Sequence, residues 1–371
     1  MKFYVIAGEA SGDLHGHNLI KELKILQPNL VFRGIGGDLM QNQGMQLVEH
    51  IRNTNIMGFI EVAKKIVYIW NLLSKIKRDI LDYKPDAIIL IDYPGFNLRL
   101  AKFAKQHNIK VFYYISPQLW AWKKGRIQTI KKYVDKLFVV LPFEKDFYKK
   151  EANIDVEFVG HPLLDAIAHN AENQNNTLLK TLIIQDKPIL ALLPGSRKQE
   201  IQRILPIMLE AAAHFDTIQT IVAGAPNLPA SYYQPFLKKY KAQLIHNQTY
   251  PLLQIATAAA VTSGTATLET ALHNVPQAVC YKANPLSFYI ARKIVNIPYI
   301  SLPNLILNKP AVKELIQKDL TIKNLTNELS LLLFNKEYQN QLSESYQQLY
   351  QLLGGIDASK RTAQQILNYL K

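Results

Sequence analysis

Short, strongly apolar segments alternate along the chain with longer segments in which apolar residues recur every three or four positions. The short segments are typical of buried strands, whereas the longer recurrence predicts amphipathic helices. Strands are predicted at 3–7, 30–35, 87–92, 111–115, 137–141, 156–159, 189–193, 218–223, 243–245, 259–262 and 277–281. Helices are predicted at 12–26, 60–81, 97–107, 199–214 and 265–273, and residues 323–371 are almost entirely helical in pattern.

This alternation favours βαβ units, and therefore parallel sheets covered by helices on both faces. The composition turns polar over residues 166–187, which indicates a linker between two such series. The sequence thus predicts an α/β fold of two doubly wound, Rossmann-like domains that face a cleft. The expected divisions are 1–165, 166–345 and a helical segment, 346–371, that packs back on the first domain. Ligands of such sheets bind at the carboxyl ends of the strands, so the loops there are the candidate sites.

The composition is that of an ordinary globular protein. Of the 371 residues, 48% are hydrophobic and 19% are charged, which excludes a disordered chain. The single cysteine, Cys280, excludes a disulfide framework and a cysteine-rich metal site. No stretch is long and apolar enough to span a bilayer, and the run at 3–7 is too short for a signal peptide. We therefore expect a cytoplasmic protein that is soluble or peripheral to a membrane.

The chain is basic, with 43 Lys and Arg against 29 Asp and Glu, a net charge of +14. This charge favours anionic partners such as nucleic acid, an acidic membrane or phosphorylated substrates. It is spread evenly over both halves of the chain, and no nucleic-acid-binding motif occurs. These two features argue against a nucleic-acid-binding protein, which remains the alternative from a different functional class.

The first candidate loop, GEASGD at 8–13, directly follows the first predicted strand. Its small residues would let a ligand approach the backbone N–H groups at the start of a helix, which makes Glu9, Ser11 and Gly12 candidates. The loop is not G-x-G-x-x-G, and no P-loop motif occurs in the chain, so dinucleotide and P-loop sites are not indicated. A tight turn with Ser11 or Asp13 as the helix cap explains the same residues.

The strand predicted at 87–92 ends in a carboxylate, Asp92, after a wholly apolar run. Burial at this position would raise the pKa of Asp92 toward the range of a general base. The alternative is that Asp92 caps the turn at 93–97.

The segment 113–126 places aromatic and basic residues after the next strand and contains Gln118 and Trp120. Aromatic rings stack on the apolar faces of sugars, so this segment is a candidate sugar site. Core aromatic residues beside a solvated basic helix end explain the same pattern.

Two turns in the second half predict a nucleotide diphosphate site. Each joins a strand to a helix through small or hydroxyl-bearing residues, which leaves free N–H groups at the helix start for phosphate oxygens. Helix capping explains either turn alone, but two in one domain favour the nucleotide. The candidates are Gly195, Ser196 and Arg197 in the first turn, and Ser263, Gly264, Thr265, Ala266 and Glu269 in the second.

The sequence does not indicate a metal or another cofactor. His15 and His17 are only two residues apart, His161 is isolated in a Gly-His-Pro triplet, and no D-x-D triplet occurs. The absence of G-x-S-x-G gives no support to a serine nucleophile. We expect neither a bound metal nor a cofactor.

Taken together, these motifs resemble the lipid-A-disaccharide synthase family, and the resemblance runs nearly end to end. It implies a GT-B fold and an inverting, metal-independent transfer from UDP-2,3-diacylglucosamine to 2,3-diacylglucosamine 1-phosphate. The products would be lipid A disaccharide 1-phosphate and UDP. The alternative is another UDP-sugar enzyme of GT-B fold. The motifs are GEASGD (8–13), MGFIEV (57–62), ID (91–92), SPQLWAW (116–122), LPFE (141–144), FVGHP (158–162), LPGSR (193–197), SGTATLE (263–269) and SLPN (301–304).

The resemblance also implies roles for individual residues. Asp92 matches the acidic residue proposed as the base of the family, and Asn304 matches a functional asparagine that belongs to the UDP-sugar-binding residues. It places Met57 with Glu9, Ser11, Gly12, Gln118 and Trp120 in the region of the acceptor and donor sugars. One departure is Gly95, where many relatives have Asp.

Acylated substrates imply attachment to an anionic membrane surface, here the inner face of the inner membrane. The best candidate is the predicted helix around 56–78, whose apolar stripe is flanked by lysines. Its expected membrane contacts are Lys64, Lys65, Trp70, Lys75 and Lys77. A core helix packed on the sheet has the same stripe, so that alternative remains. The sequence leaves a homodimer open.

Overall fold

The computed structural model describes residues 1–53, 61–121, 124–172, 187–295 and 297–371. These residues form two compact units. One unit comprises residues 1–165 together with 353–371, and the other comprises residues 166–352.

The first unit is built on a seven-stranded sheet in which every described pairing is parallel. The strands lie in the order β3-β2-β1-β4-β5-β6-β7. They are β1 (Lys2–Ala7), β2 (Val31–Gly36), β3 (Gln46–His50), β4 (Ala87–Ile91), β5 (Lys110–Tyr114), β6 (Lys136–Val139) and β7 (Glu157–Phe158). The central strand β4 is buried along its whole length because helices cover both faces of the sheet.

The helices of the first part of the chain are α1 (Ala10–Leu26), α2 (Asp38–Asn42), α3 (Glu61–Tyr83), α4 (Pro94–Gln106), α5 (Ile127–Tyr133), α6 (Glu144–Ala152) and α7 (Pro162–Glu172). Helices α3 and α4 contribute side chains to the core on one face, with Tyr4, Leu90 and Tyr113 of the sheet.

The C-terminal helix of the chain completes the first unit. The carboxylate of Asp165 accepts hydrogen bonds from the N–H groups of Asp357, Ala358 and Ser359 at 2.7, 3.2 and 3.0 Å. A carboxylate at this position satisfies N–H groups that have no partner within the helix and interacts favourably with the helix dipole. Asp165 therefore fixes the start of this helix although the two segments are far apart in sequence.

The second unit contains a six-stranded parallel sheet in the order β10-β9-β8-β11-β12-β13. Its strands are β8 (Ile189–Leu193), β9 (Gln219–Gly224), β10 (Ala242–His246), β11 (Ala258–Thr262), β12 (Gln277–Tyr281) and β13 (Lys313–Ile316). The later helices are α8 (Lys198–Ala212), α9 (Ala230–Leu237), α10 (Thr249–Ile255), α11 (Thr265–Leu272), α12 (Pro285–Ile294), α13 (Leu302–Leu307), α14 (Ile322–Phe334), α15 (Lys336–Leu352) and, in the first unit, α16 (Ala358–Leu370).

These two parallel sheets confirm the predicted fold class of two Rossmann-like α/β domains. Every predicted strand is present, with ends that differ by at most two residues. The prediction missed β3 and β13, which lie at sheet edges and lack a continuous buried run. Among the helices that the structure describes, none is long and apolar enough to cross a membrane.

Candidate active site and nucleotide pocket

Asp92 and the loop after β1 lie at the same edge of the first sheet. Strand β1 pairs with β4, and Ala7 is opposite Ile91, so Gly8 and Asp92 are the next residues of two adjacent strands. The ring of Tyr93 lies against Gly8, where a β-carbon would be 2.4 Å from the ring. The close contact of these two loops therefore requires glycine at position 8.

The main chain at Asp92 has an unusual conformation. Asp92 and Tyr93 have φ angles of +44° and +47°, in the left-handed region that non-glycine residues rarely adopt. Each such residue costs ~1–2 kcal/mol. Strain of this kind persists only where surrounding contacts enforce it, and it is concentrated at functional sites.

The Asp92 carboxyl has the electrostatics of a general base. Its pKa is raised to about 6, chiefly because protein atoms displace water around it and secondly because the Glu9 carboxylate repels a second negative charge. The N–H of Tyr93 partly opposes this shift. Asp92 is nevertheless exposed on one side. A carboxyl group that solvent reaches from one side and protein encloses on the others can accept a proton from a bound molecule.

The other candidates of the first loop lie next to Asp92 along the sheet edge. Glu9 and Ser11 are exposed at the start of α1, whereas Gly12 is buried. The alternative interpretation of this loop, in which Ser11 or Asp13 caps the helix, is wrong. The N-cap residue of α1 is Glu9, and its side chain makes no capping bond. Asp13 instead accepts from the N–H groups of Gly37, Leu39 and Met40 around the start of α2, at 2.7, 3.1 and 3.1 Å.

The loop after β5 holds the remaining candidates of the first unit. Gln118 is exposed, and Trp120 is half-buried with its ring edge-on to Phe143 at 5.2 Å between centroids. Beneath this loop, burial raises the pKa of Glu144 to about 7, although the N–H groups of Val140 and Leu141 bind its carboxylate. Met57 lies outside the described residues.

A cavity of about 370 Å³ lies at the carboxyl ends of β8, β9 and β11 in the second unit. It brings together both turns that the sequence predicted for a nucleotide. The predicted residues that line it are Gly195, Ser196, Arg197, Ser263, Gly264, Thr265, Ala266 and Glu269. Sequence reasoning missed further lining residues, among them Glu200, Thr249 and Pro226. Glu200 lies three residues after Arg197, the spacing of a capping box, which could have identified it, whereas the fold alone brings Thr249 and Pro226 to the cavity.

The first turn of this pocket is preorganised by Glu200. Its carboxylate accepts from the Arg197 guanidinium at 2.7 Å and from the Arg197 N–H at 3.2 Å. Gly195 has a φ of +98°, and a β-carbon there would be 2.7 Å from the Glu200 carboxylate. Arg197 is therefore held at the start of α8 while its side chain remains largely exposed.

The second turn is joined to the β12–β13 region of the same unit. The Ser263 hydroxyl donates to the carbonyl of Ile300 at 2.9 Å. Glu269 is half-buried on α11, where desolvation raises its pKa and the Tyr250 hydroxyl donates to it at 3.1 Å. Glu269 is thus an oriented acceptor on the pocket wall, suited to hydroxyl or N–H groups of a ligand.

Asn304, which the resemblance places among the UDP-sugar-binding residues, does not line this cavity. It is buried on α13, and its amide donates to the Val312 carbonyl and the Glu314 carboxylate at 2.9 and 3.0 Å. Its carbonyl accepts from the Val312 N–H at 2.8 Å. Glu314 also binds the N–H of Ile300. Asn304 therefore supports the backbone that anchors Ser263.

A larger cavity of about 700 Å³ lies at the opposite edge of the same sheet, by the amino ends of β8, β9 and β10. Lys187, Lys239 and Lys241 contribute to its wall. It contains neither predicted turn, and it lies away from the strand ends at which ligands of doubly wound sheets bind. The smaller cavity is therefore the candidate ligand site.

The predicted membrane helix is partly a core helix. On α3, Leu73 and Ile76 are buried, whereas Val67 and Trp70 are 59% and 60% exposed. Lys75 pairs with Glu49 at 2.9 Å, and the Lys77 ammonium lies 5.2 Å from the Phe103 ring centroid. These two lysines thus have partners within the protein. The side chains of Lys64 and Lys65 lie outside the described part of the chain.

Among the described residues, no group of three His, Cys, Asp or Glu side chains could hold a metal ion. His161, which the sequence indicated as structural, is buried, and its backbone N–H donates to the Leu353 carbonyl at 3.0 Å. Cys280 is buried and free.

Comparison with solved structures supports the fold. The UDP-GlcNAc 2-epimerase of Neisseria meningitidis, solved with UDP-GlcNAc, aligns with a TM-score of 0.71 over 99% of this chain and 100% of its own, at 16% identity. The calicheamicin glycosyltransferase CalG4 aligns with a TM-score of 0.60 over 100% of this chain and 97% of its own, at 15% identity. At such identities the likeness establishes the fold alone.

Sequence comparison is more specific. The family described as lipid-A-disaccharide synthetase matches residues 3–367. The lipid-A-disaccharide synthase of Coxiella burnetii is 40% identical over 370 residues, which cover 99% of this chain and 98% of its own. That of Syntrophus aciditrophicus is 39% identical over 374 residues, covering 99% and 97%. Because both matches extend over nearly the whole length of each chain, the chain belongs to the lipid-A-disaccharide synthase family of glycosyltransferases.

Proposed function

We propose that this protein transfers 2,3-diacylglucosamine from its UDP derivative to 2,3-diacylglucosamine 1-phosphate, with inversion at the anomeric carbon and release of UDP. Family membership supports the lipid A disaccharide-forming reaction. The single structural observation that carries the residue assignment is the Asp92 carboxyl. It stands at a strand end on a left-handed turn, with a pKa of about 6.

Asp92 is assigned as the general base. Inversion requires a single displacement, in which the acceptor hydroxyl attacks the anomeric carbon as its proton leaves. With a pKa of about 6, Asp92 is mostly ionised at neutral pH yet basic enough to accept that proton. An unperturbed aspartate, with a pKa near ~3.9, would be a weaker base.

The cavity of the second unit is assigned to the UDP part of the donor. The diphosphate would bind the N–H groups at the starts of α8 and α11, where helix dipoles and the Arg197 guanidinium favour negative charge. These same groups stabilise the charge that develops on UDP as it leaves. Glu269, which the Tyr250 hydroxyl orients, would accept hydrogen bonds from the nucleoside.

The exposed residues around Asp92 are assigned to the sugars. Glu9 and Ser11 flank the base at the sheet edge, and Gln118 and Trp120 follow the neighbouring strand β5. Hydroxyl-rich sugars suit this mixture of carboxylate, hydroxyl, amide and aromatic groups. Gly12 would permit close approach of a sugar to the start of α1.

Attachment to the cytoplasmic face of the inner membrane is part of the proposal, because both substrates have acyl chains. On α3, Val67 and Trp70 lie one turn apart and are both largely exposed. An apolar residue beside an exposed tryptophan is suited to the boundary between headgroups and acyl chains. Because Lys75 is paired with Glu49, we assign the membrane contact to the exposed apolar residues of this helix and not to its lysines.

Mass spectrometry of the products tests the function. The protein, incubated with both acylated substrates, should produce one disaccharide 1-phosphate and one UDP per turnover, and Asp92→Asn should do so far more slowly. Incubation with the donor alone, examined by NMR because epimers have equal mass, serves as the control, since a sugar epimerase, whose fold this chain shares, would alter the donor without an acceptor. Conversion of the donor alone would refute the transferase assignment.

A further inference from the structure

The carbonyl of Asp92 is fixed by side chains and not by the sheet. Strand β4 ends at Ile91, and the Asp92 N–H still donates to the Tyr114 carbonyl at 3.1 Å. The Asp92 carbonyl, however, accepts from the Tyr113 hydroxyl at 2.6 Å and from the Asn97 amide at 2.8 Å. A carbonyl oxygen has two lone pairs, so these two bonds use its full capacity.

The two donors belong to two different elements of the core. Tyr113 on β5 and Asn97 in the first turn of α4 are both fully buried. The same Asn97 nitrogen also donates to the carbonyl of Ile91 at 3.2 Å, so that it spans the two residues at the end of the strand. The peptide after Asp92 therefore cannot rotate unless bonds from two different elements break.

We propose that Tyr113 and Asn97 are positioning residues, which hold Asp92 in its left-handed conformation and thereby set the direction of its carboxyl group toward the acceptor hydroxyl. This inference rests on the proposed role of Asp92 as the base. In a strand, the side chain after Ile91 would point perpendicular to the sheet. The left-handed turn gives the Cα–Cβ bond another direction at the exposed edge.

The groups around Asp92 also determine how its pKa should change if the turn relaxes. Glu9, from the loop after β1, raises its pKa, and the N–H of Tyr93 at the start of α4 lowers it. The Tyr113 hydroxyl on β5 is neutral, since burial raises its pKa well above the ordinary value, and Arg126 before α5 opposes that shift. If the turn relaxes, the Asp92 carboxyl moves into water, and the desolvation that dominates its pKa diminishes. Its pKa should then fall toward the ordinary range.

The experiment compares Tyr113→Phe and Asn97→Ala with a matched control, Tyr114→Phe. Tyr114 is the next residue on β5, equally buried, and its hydroxyl lies near Ser359 and Thr362 on the opposite face of the sheet. We measure kcat and KM across pH, UDP affinity and the melting temperature of each full-length variant. A small misplacement of a catalytic group lowers rates by up to ~10²-fold.

Tyr113→Phe is expected to lower kcat by ~10–100-fold at nearly unchanged KM and UDP affinity, and to move the acid limb of the kcat profile to lower pH. Asn97→Ala should act in the same direction. The double variant should lose less than the product of the single losses, because both residues act through one carbonyl. Tyr114→Phe should change neither kcat nor the pH profile.

Unchanged kcat and pH profile in a folded Tyr113→Phe protein would overturn the proposal, as would changes equal to those of Tyr114→Phe. A failure of both Tyr113→Phe and Asn97→Ala to fold would also overturn it in favour of a purely structural role. The assignment of Asp92 is tested separately. If Asp92→Asn is fully active, the proposed base is wrong, whereas an inactive Asp92→Asn with a normal Tyr113→Phe refutes the positioning role alone.

Discussion

The ring of Tyr93 occupies the space in which a side chain at Gly8 would lie, with 2.4 Å between the ring and a β-carbon built on Gly8. This contact joins the loops that follow β1 and β4, and it lies beside Asp92. A residue with any side chain at position 8 would displace the ring, and with it the left-handed pair formed by Asp92 and Tyr93.

We therefore predict that Gly8→Ala destabilises the protein by ~1–3 kcal/mol, the usual cost of overpacking. Because the displaced turn contains Asp92, kcat should fall as well. Urea denaturation and steady-state kinetics measure the two effects.

The matched control is Gly95→Ala. A β-carbon at Gly95 in the first turn of α4 meets no atom within 4 Å, so this change should be neutral or stabilise by up to ~1 kcal/mol. Gly95→Asp, which introduces the acid that the family resemblance implies at this position, should also fold. Equal effects of alanine at positions 8 and 95 would contradict the role assigned to the Tyr93 contact.

Asp92→Asn should lower kcat by ~10²–10⁴-fold, the usual contribution of a general base, and leave UDP affinity within a few-fold.

The burial that raises the pKa of Asp92 to about 6 also predicts an effect of this substitution on stability. Since the folded protein disfavours the charged form, ionisation of Asp92 lowers stability as pH rises from the unfolded pKa to about 6. Asp92→Asn should therefore unfold at a higher temperature than the parent at pH 7. A less stable and fully active variant would contradict both arguments.

The pH dependence of the parent follows from the same carboxyl. Only the ionised form of Asp92 accepts a proton, so kcat should fall as pH drops below about 6. Glu9→Gln removes the negative charge that raises the pKa of Asp92, so the acid limb should move to lower pH. The profile of kcat against pH, recorded for both proteins, measures this shift. An acid limb at the same pH in both would show that another group controls it.

The sequence predicted the elements of this site better than its geometry. The apolar run ending in Asp92 indicated a buried strand and a carboxylate at its end, and the two small-residue turns predicted to bind phosphate do line one cavity. Local patterns carry this information because burial and helix starts leave local signatures.

Contacts between distant segments left no such signature. The bonds of Tyr113 and Asn97 to the Asp92 carbonyl depend on strand pairing and on the left-handed turn, neither of which a local pattern specifies. The same limit applies to Asn304 and Lys75. Asn304 is hydrogen-bonded to Val312 and Glu314, and Lys75 forms an ion pair with Glu49. Only the folded chain brings these partners together.

In the second unit, Arg197→Ala should weaken UDP binding by ~1.5–3 kcal/mol, the usual value of a charge-assisted hydrogen bond. Glu269→Gln should weaken it less, because the amide retains one acceptor oxygen. Calorimetric titration with UDP measures both. Asn304→Ala is the informative contrast, since Asn304 supports the backbone near Ser263 and does not line the pocket. Asn304→Ala should mainly lower the melting temperature. Unchanged UDP affinity in Arg197→Ala would show that the nucleotide binds elsewhere.

Membrane attachment can be tested on α3 without disturbing the core. The double variant Val67→Ser and Trp70→Ser changes two largely exposed side chains, so folding and UDP binding should be retained. Burial of apolar area in the membrane contributes ~25 cal/mol per Å², so loss of these side chains should release the protein from vesicles that contain anionic lipid. Flotation of the vesicles measures the bound fraction.

The control is Ile25→Ser, because Ile25 on α1 is 63% exposed in the same unit. If the double variant floats with the vesicles as well as Ile25→Ser does, α3 is not the anchor. The distributed positive charge of the chain would then have to hold it, and vesicle binding should disappear when the salt concentration is raised.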